Sequence, residues 1–175
     1  TIGSAIIMLV LTPSLFADNG KELKLTSPDG THEIAFYQKQ VSPVANELCY
    51  RVDYKSQPVV NESRAGLELD NRIWEMALGA RNLKQPACWM DNLEVDSVTY
   101  QPETDITWQP LYGERSSVRD HYRAGTLYLS KKDNSGYRFN IEVRAYNEGV
   151  AFRYYFPEHP KAIFHKVVGD LTEYA

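Results

Sequence analysis

The stretch from Tyr137 to Phe156, YRFNIEVRAYNEGVAFRYYF, decides the fold. Tyr137, Phe139, Ile141, Val143 and Ala145 recur at every second position, which places them on one face of an extended strand. Asn147-Glu148-Gly149 then reads as a tight turn, after which Val150, Phe152, Tyr154 and Phe156 take up the same period until Pro157 ends it. Arg138, Asn140, Glu142 and Arg144 occupy the opposite face, which the pattern predicts to be the wetter one. Upstream, Gly125 to Lys131 and the polar turn Lys132-Asp133-Asn134-Ser135-Gly136 complete a hairpin. Three consecutive antiparallel strands follow from these spacings.

The same period extends toward the N-terminus. Leu93, Val95, Ser97 and Thr99 alternate, followed by Ile106 and Trp108. Leu48, Tyr50, Val52 and Tyr54 share a face of another strand, as do His32, Ile34 and Phe36, with Ser27-Pro28-Asp29-Gly30 as the turn before them. One segment, Asn71 to Ala80, allows a short amphipathic helical turn with Ile73, Trp74, Ala77 and Leu78 inward. Gly and Pro fall between the expected strands. The fold class these patterns predict is all-β, an antiparallel β-sandwich burying two aromatic and aliphatic faces against each other, with a closed barrel as the alternative.

Composition bounds the partners. The 175 residues are enough for one compact domain with a core that needs no staples, drawn from about residue 23 to 175. Twelve Tyr, six Phe and three Trp supply too much buriable surface for a disordered segment. A net charge of -4 with both signs interspersed gives no field for a polyanion, so no nucleic acid partner is expected. The apolar run Ala5-Ile6-Ile7-Met8-Leu9-Val10-Leu11, broken by Pro13 and Ser14 and ending near Ala17, reads as the remnant of a secretory signal over residues 1–17. It is too short for a membrane span. Export to the periplasm or the extracellular space is the expected localisation. No Cys follows the presumed cut, which excludes lipoprotein anchoring there. In that compartment Cys49 and Cys88 can form one bridge or remain two buried thiols. Neither has metal-ligand spacing.

Chemistry-bearing motifs are scarce. There is no Gly-x-Ser-x-Gly elbow, no phosphate loop and no Cys in a nucleophilic context. His32, His121, His159 and His165 are not paired on one element and read as hydrogen-bonding residues rather than metal ligands. Glu114 and Asp120 flank a loop that also holds Arg115, Arg119 and His121. Two carboxylates in one loop suit glycosidic chemistry in principle, but interleaved with arginines they read as ion pairs that fix the loop. Among Trp89, Trp108, Tyr112, Tyr122, Tyr128, Tyr146 and Tyr155, those in loops, chiefly Trp108, Tyr112 and Tyr122, are the ones expected to meet a ligand or a partner domain.

Three segments carry a resemblance: Leu25-Thr26-Ser27-Pro28-Asp29-Gly30; Trp108-Gln109-Pro110-Leu111-Tyr112-Gly113-Glu114 with Arg119-Asp120-His121-Tyr122; and Arg144-Ala145-Tyr146-Asn147-Glu148-Gly149-Val150-Ala151-Phe152-Arg153-Tyr154. In this order they resemble the N-terminal domain of glycoside hydrolase family 97. The resemblance implies a β-sandwich akin to galactose mutarotase, packed against a catalytic (β/α)8 barrel in exported, calcium-dependent α-glucosidases or α-galactosidases that act by inversion or retention on α-linked oligosaccharides. Leu171-Thr172-Glu173-Tyr174-Ala175 resemble a segment inside that domain. The sandwich is therefore expected to be incomplete and marginally stable alone. The barrel carboxylates and the calcium ligands are expected beyond Ala175. On this basis no catalytic, cofactor or metal residue is assigned, no cofactor is expected for the chain itself, and it is expected not to catalyse hydrolysis alone. Trp108, Tyr112, Glu114, Arg119, His121 and Tyr122 are the expected sugar or interdomain contacts. A free-standing carbohydrate-binding module is the alternative. An aldose-epimerase-like enzyme lacks the His and Glu constellation it would need.

Overall fold

The computed structural model describes residues 22–42, 45–69, 87–88, 93–131, 137–158 and 165–175, with 87–88 by backbone alone. The expected leader, the helical turn over 71–80, the turn at 132–136, Trp89 and His159 lie outside the described residues. Twelve strands and no helix occur among those described: β1 Glu22–Thr26, β2 His32–Ser42, β3 Ala45–Tyr54, β4 Gln57–Arg64, β5 Leu67–Leu69, β6 Ala87–Cys88, β7 Leu93–Tyr100, β8 Thr104–Trp108, β9 Val118–Lys131, β10 Arg138–Tyr146, β11 Gly149–Tyr155 and β12 Val167–Asp170. No described helix is therefore long and apolar enough to cross a membrane.

All described pairings are antiparallel. The first four strands form a meander in the order β1-β2-β3-β4, the second sheet runs β11-β10-β9-β7 with β8 also on β9, and a small third sheet runs β12-β5-β6. The two large sheets face each other as the alternation predicts. Leu23, Leu25, Ile34, Phe36, Leu48, Tyr50 and Val52 from one meet Val98, Leu127, Leu129, Phe139, Ile141, Val143 and Ala145 from the other in one buried cluster. Burying each large side chain contributes about 1.5–3 kcal/mol. Phe152 bridges the layers, 5.1 Å edge-on to Phe36 and 5.4 Å from Tyr50. Among the described residues the two large sheets do not join into the alternative barrel: β11 ends its sheet and β1 and β4 end the other.

The register of β9, β10 and β11 follows the expectation, with Leu127 opposite Ile141 and Val143 opposite Phe152. Strand β7 departs from it. Val95 and Ser97 pair with the adjacent residues Leu129 and Tyr128, so Asp96 is a one-residue bulge. The bulge reverses the phase and turns Val98, fully buried, inward instead of Ser97 and Thr99. Asn140, expected on the wet face, is only 8% exposed. Strand β4 carries no alternation and includes Pro58, a residue that edge strands tolerate. Cys49 is a buried free thiol on the strand opposite Tyr37 and Arg64, and burial raises its pKa.

Turn chemistry locks the ends. Asp29 accepts from the Ser27 hydroxyl at 2.7 Å and from the Thr31 N–H at 3.0 Å. The Ser27 hydroxyl bond leads the effects that hold the Asp29 carboxyl down at about 2. The Asp29 N–H also donates to Asn147 Oδ1 at 3.1 Å, so the β1–β2 turn is tied to the β10–β11 turn of the other sheet. The C-terminal residues lie along β4: the Glu173 N–H donates to the Arg64 carbonyl at 2.8 Å, the Asn61 N–H to that of Ala175 at 2.9 Å, and the Tyr50 hydroxyl to that of Glu173 at 2.6 Å.

Two stability changes are expected. A Cβ at Gly125 would lie 3.3 Å from both Leu23 Cδ1 and Tyr100 Cδ1, so Gly125→Ala should overpack the interior. The expected cost is about 1–3 kcal/mol, read from the urea unfolding midpoint. Lys55 and Ser56 form the β3–β4 turn with φ of 50° and 62°, a left-handed geometry that costs a residue with a Cβ about 1–2 kcal/mol. Ser56→Gly removes that cost and adds about 0.4–1 kcal/mol of unfolded-chain entropy, so a net gain of about 0.5–1 kcal/mol should appear in the same measurement.

Candidate interdomain and sugar-contact surface

Strand β9 is long because its first five residues pair with β8 as a hairpin, Thr104 opposite Tyr122 and Trp108 opposite Val118. Arg119, His121 and Tyr122, expected in a loop, therefore stand on a strand. The alternation divides them between two faces. Asp105, Thr107, Arg119 and His121 share one face; Thr104, Ile106, Trp108, Asp120 and Tyr122 share the other.

The first face is a row of ion pairs. Arg119 forms a two-pronged contact with Asp105, Nε to Oδ1 and a terminal nitrogen to Oδ2, both at 2.7 Å. Glu103 receives His121 Nε2 at 2.7 Å through Oε1 and Arg123 Nε at 3.0 Å through Oε2. The His121 and Arg119 hydrogen bonds respectively hold the Glu103 and Asp105 carboxyls below their ordinary ranges. The expectation that Glu114 and Asp120 pair within their loop thus finds its physics elsewhere: the partners are Glu103 and Asp105. A spacing argument along one loop does not reach them, whereas the cross-strand register does.

The second face is apolar at its far end. Ile106 and Trp108 are each about half exposed, Leu111 is fully exposed and Tyr112 is 91% exposed. Glu114 is exposed on the same nine-residue connection. Tyr122 lies nearer the sandwich, where its ring is covered by the Arg144 guanidinium at 4.4 Å and meets Tyr146 at 5.1 Å. The Arg144 terminal nitrogen also donates to the Tyr146 hydroxyl at 3.3 Å.

Two concavities lie elsewhere. A groove of about 970 Å³ opens between β3, β4, β11 and the C-terminal segment, lined by residues such as Tyr50, Val60, Phe152, Tyr154 and Tyr174. At its C-terminal side Asp170 accepts from the Thr172 N–H at 3.0 Å, and the Tyr154 and Thr172 hydroxyls bond at 2.6 Å. A smaller pocket of about 300 Å³ lies on the outer face of the second sheet. Among the described residues no group of three or more His, Cys, Asp or Glu side chains converges, so no set of calcium ligands is assigned to them.

The strands define the class of an antiparallel β-sandwich in which the β8–β9 hairpin continues one of the two large sheets. The family "Glycosyl-hydrolase 97 N-terminal" matches residues 25–175, and the chain belongs to that family. The "Retaining alpha-galactosidase" of Bacteroides thetaiotaomicron is 27% identical over 169 residues, 97% of this chain and 21% of that protein. A Glycoside Hydrolase Family 97 enzyme from Pseudoalteromonas sp. strain K8, solved with panose and with acarbose, superposes with a TM-score of 0.69 at 25% identity, covering 87% of this chain and 20% of the enzyme. A β-arabinopyranosidase shares the fold, with a TM-score of 0.65 at 19% identity over 86% of this chain and 20% of its own. The chain spans about a fifth of the length of the relatives it matches.

The hairpin should respond to acid. Because the folded Glu103 and Asp105 carboxyls titrate below their ordinary values of 4.5 and 3.8, their pairs contribute fully above those values. That contribution is lost as pH falls through the lowered folded values. Trp108 emission and the NMR shifts of Arg119 and His121 should therefore change below about pH 4.5 before the sandwich unfolds. Glu103→Gln with Asp105→Asn should remove that early step.

Proposed function

We propose that this chain is the N-terminal supporting domain of an exported family 97 α-glycosidase, an α-glucosidase or α-galactosidase. Its partner is a catalytic (β/α)8 barrel of the same protein, and the acid, base or nucleophile carboxylates belong to that barrel, as does any bound calcium. The observation that carries this reading is the family match over residues 25–175 joined to a TM-score of 0.69 over one fifth of a larger glycoside hydrolase. The hairpin gives it a physical form. Trp108, Leu111 and Tyr112 are apolar groups held away from the core, and aromatic residues in such positions are favoured where a second surface covers them. On this reading Trp108, Tyr112, Glu114 and Tyr122 meet the barrel or the rim of its sugar site, while Arg119 and His121, on the reverse face, keep the hairpin extended through Asp105 and Glu103.

Sequencing the gene past codon 175 tests the reading: a barrel with paired carboxylates should follow, and a stop codon there overturns it. In the protein carrying that barrel, Leu111→Ser with Tyr112→Ser should lower the melting temperature and reduce hydrolysis of aryl α-glucosides or α-galactosides several-fold. Unchanged values for both would remove the hairpin from the interface.

A further inference from the structure

The outer face of the second sheet carries a site that the hairpin residues do not include. Cross-strand register sets Thr126, Glu142 and Arg153 in one row, and Ala124, Arg144 and Ala151 in the next. Tyr122 and Tyr146 follow in the row beyond, continuous with the apolar face of the hairpin. Within these rows the pocket of about 300 Å³ is lined by Gln101, Thr126, Glu142, Arg144, Tyr146 and Arg153 with the small residues between them. Ala124 and Ala151, small residues on the outer face, leave the space. Thr126, only 5% exposed, lies at its depth.

The chemistry of the lining is specific in kind. Arg153 contacts Glu142 through Nε at 2.7 Å and a terminal nitrogen at 2.6 Å, and both fall on Oε2, leaving Oε1 outside that pair. Arg144 is held flat by Tyr122 and by the Tyr146 hydroxyl, so its position does not depend on a ligand. The pocket therefore presents a carboxylate acceptor, two guanidinium donors, an amide and two hydroxyls, with Asp120 also acting on Arg144. Charges of both signs offset one another around it, which disfavours an anion. Alternating fixed donors and acceptors suit neutral vicinal hydroxyls, each of which donates and accepts. The volume lies at the low end of small-ligand sites and suits one ring rather than a chain segment.

We infer that this pocket binds one hexopyranose unit of an α-linked oligosaccharide, Glu142 accepting from one hydroxyl and Arg144 or Arg153 donating to its neighbour. The assignment rests on the glycosidase reading for the class of sugar, while its lining residues lie apart from Trp108, Leu111 and Tyr112 of the hairpin.

The test is NMR titration of the full chain as encoded with maltose and with melibiose. Amide shifts at Thr126, Glu142, Arg144 and Arg153 should saturate in the millimolar range with at least one sugar. Glu142→Gln and Arg144→Lys should each weaken binding tenfold or more, because hydrogen bonds to charged groups are the stronger ones. Arg144 is exposed, so its variant retains the fold if removal of Glu142 disturbs it. Leu111→Ser with Tyr112→Ser should leave the sugar affinity unchanged, which separates this site from the hairpin interface. No shift with either sugar, shifts confined to Trp108–Tyr112, or saturation by inorganic sulfate alone would overturn the assignment. A stop codon after residue 175 would defeat the supporting-domain reading while leaving these shifts as they are.

Discussion

Phe152 reaches from β11 across the gap between the sheets to Phe36 and Tyr50, and that contact fixes which face of β11 and of its neighbour β10 turns outward. A strand has only two faces. With Val143, Phe152 and Ile141 committed to the interior, Glu142, Arg144 and Arg153 have no other place than the outer surface. A slip of one residue would bury three charges and expose the aromatic contact, a combination that no compensating hydrogen bond is positioned to offset. The polar face therefore inherits its geometry from the core. The turn residues reinforce this, since Asn147 joins the β10–β11 turn to Asp29 on the opposite sheet.

The parts of the fold that sequence made legible are those with this two-faced constraint. Residues 137–156 alternate because both faces are in use. Strand β4 was not legible for the opposite reason: most of its side chains are exposed, it has Pro58 within it, and the turn before it uses Lys55 and Ser56 where Asn-Gly would have signalled a hairpin. Strand β7 departs from the phase of its sequence pattern after Val95 because a bulge at Asp96 adds a residue without leaving a mark in composition. The short strands β5, β6 and β12 are too brief for any period to show.

The surface residues were legible as types and not as partners. Arg119 and His121 stood out beside Glu114 and Asp120 in sequence, yet their carboxylate partners, Asp105 and Glu103, lie 14 and 18 positions away across the hairpin. Arg144, Glu142 and Arg153 were visible as the wet face of a strand, but only the register shows that two of them meet at one point and that the third is braced by aromatic rings. Such pairings are long-range in sequence and are set by hydrogen-bonded alignment, so spacing along the chain carries no trace of them.

The hairpin itself argues for a second surface. An isolated two-stranded ribbon is marginal in water, and the exposed ion pairs along its charged face contribute little each. They suffice to hold the strands in register because Glu103 is shared by His121 and Arg123, and Asp105 is gripped by a planar fork. The charged pairs that fix the register of the ribbon thus lie on one face. The other face presents Ile106 and Trp108 to water and the connection beyond it exposes Leu111 and Tyr112, an arrangement that costs solubility. Charged pairing on the back frees the front to remain apolar, and an apolar front on a preformed ribbon lowers the ordering cost of docking against a neighbour.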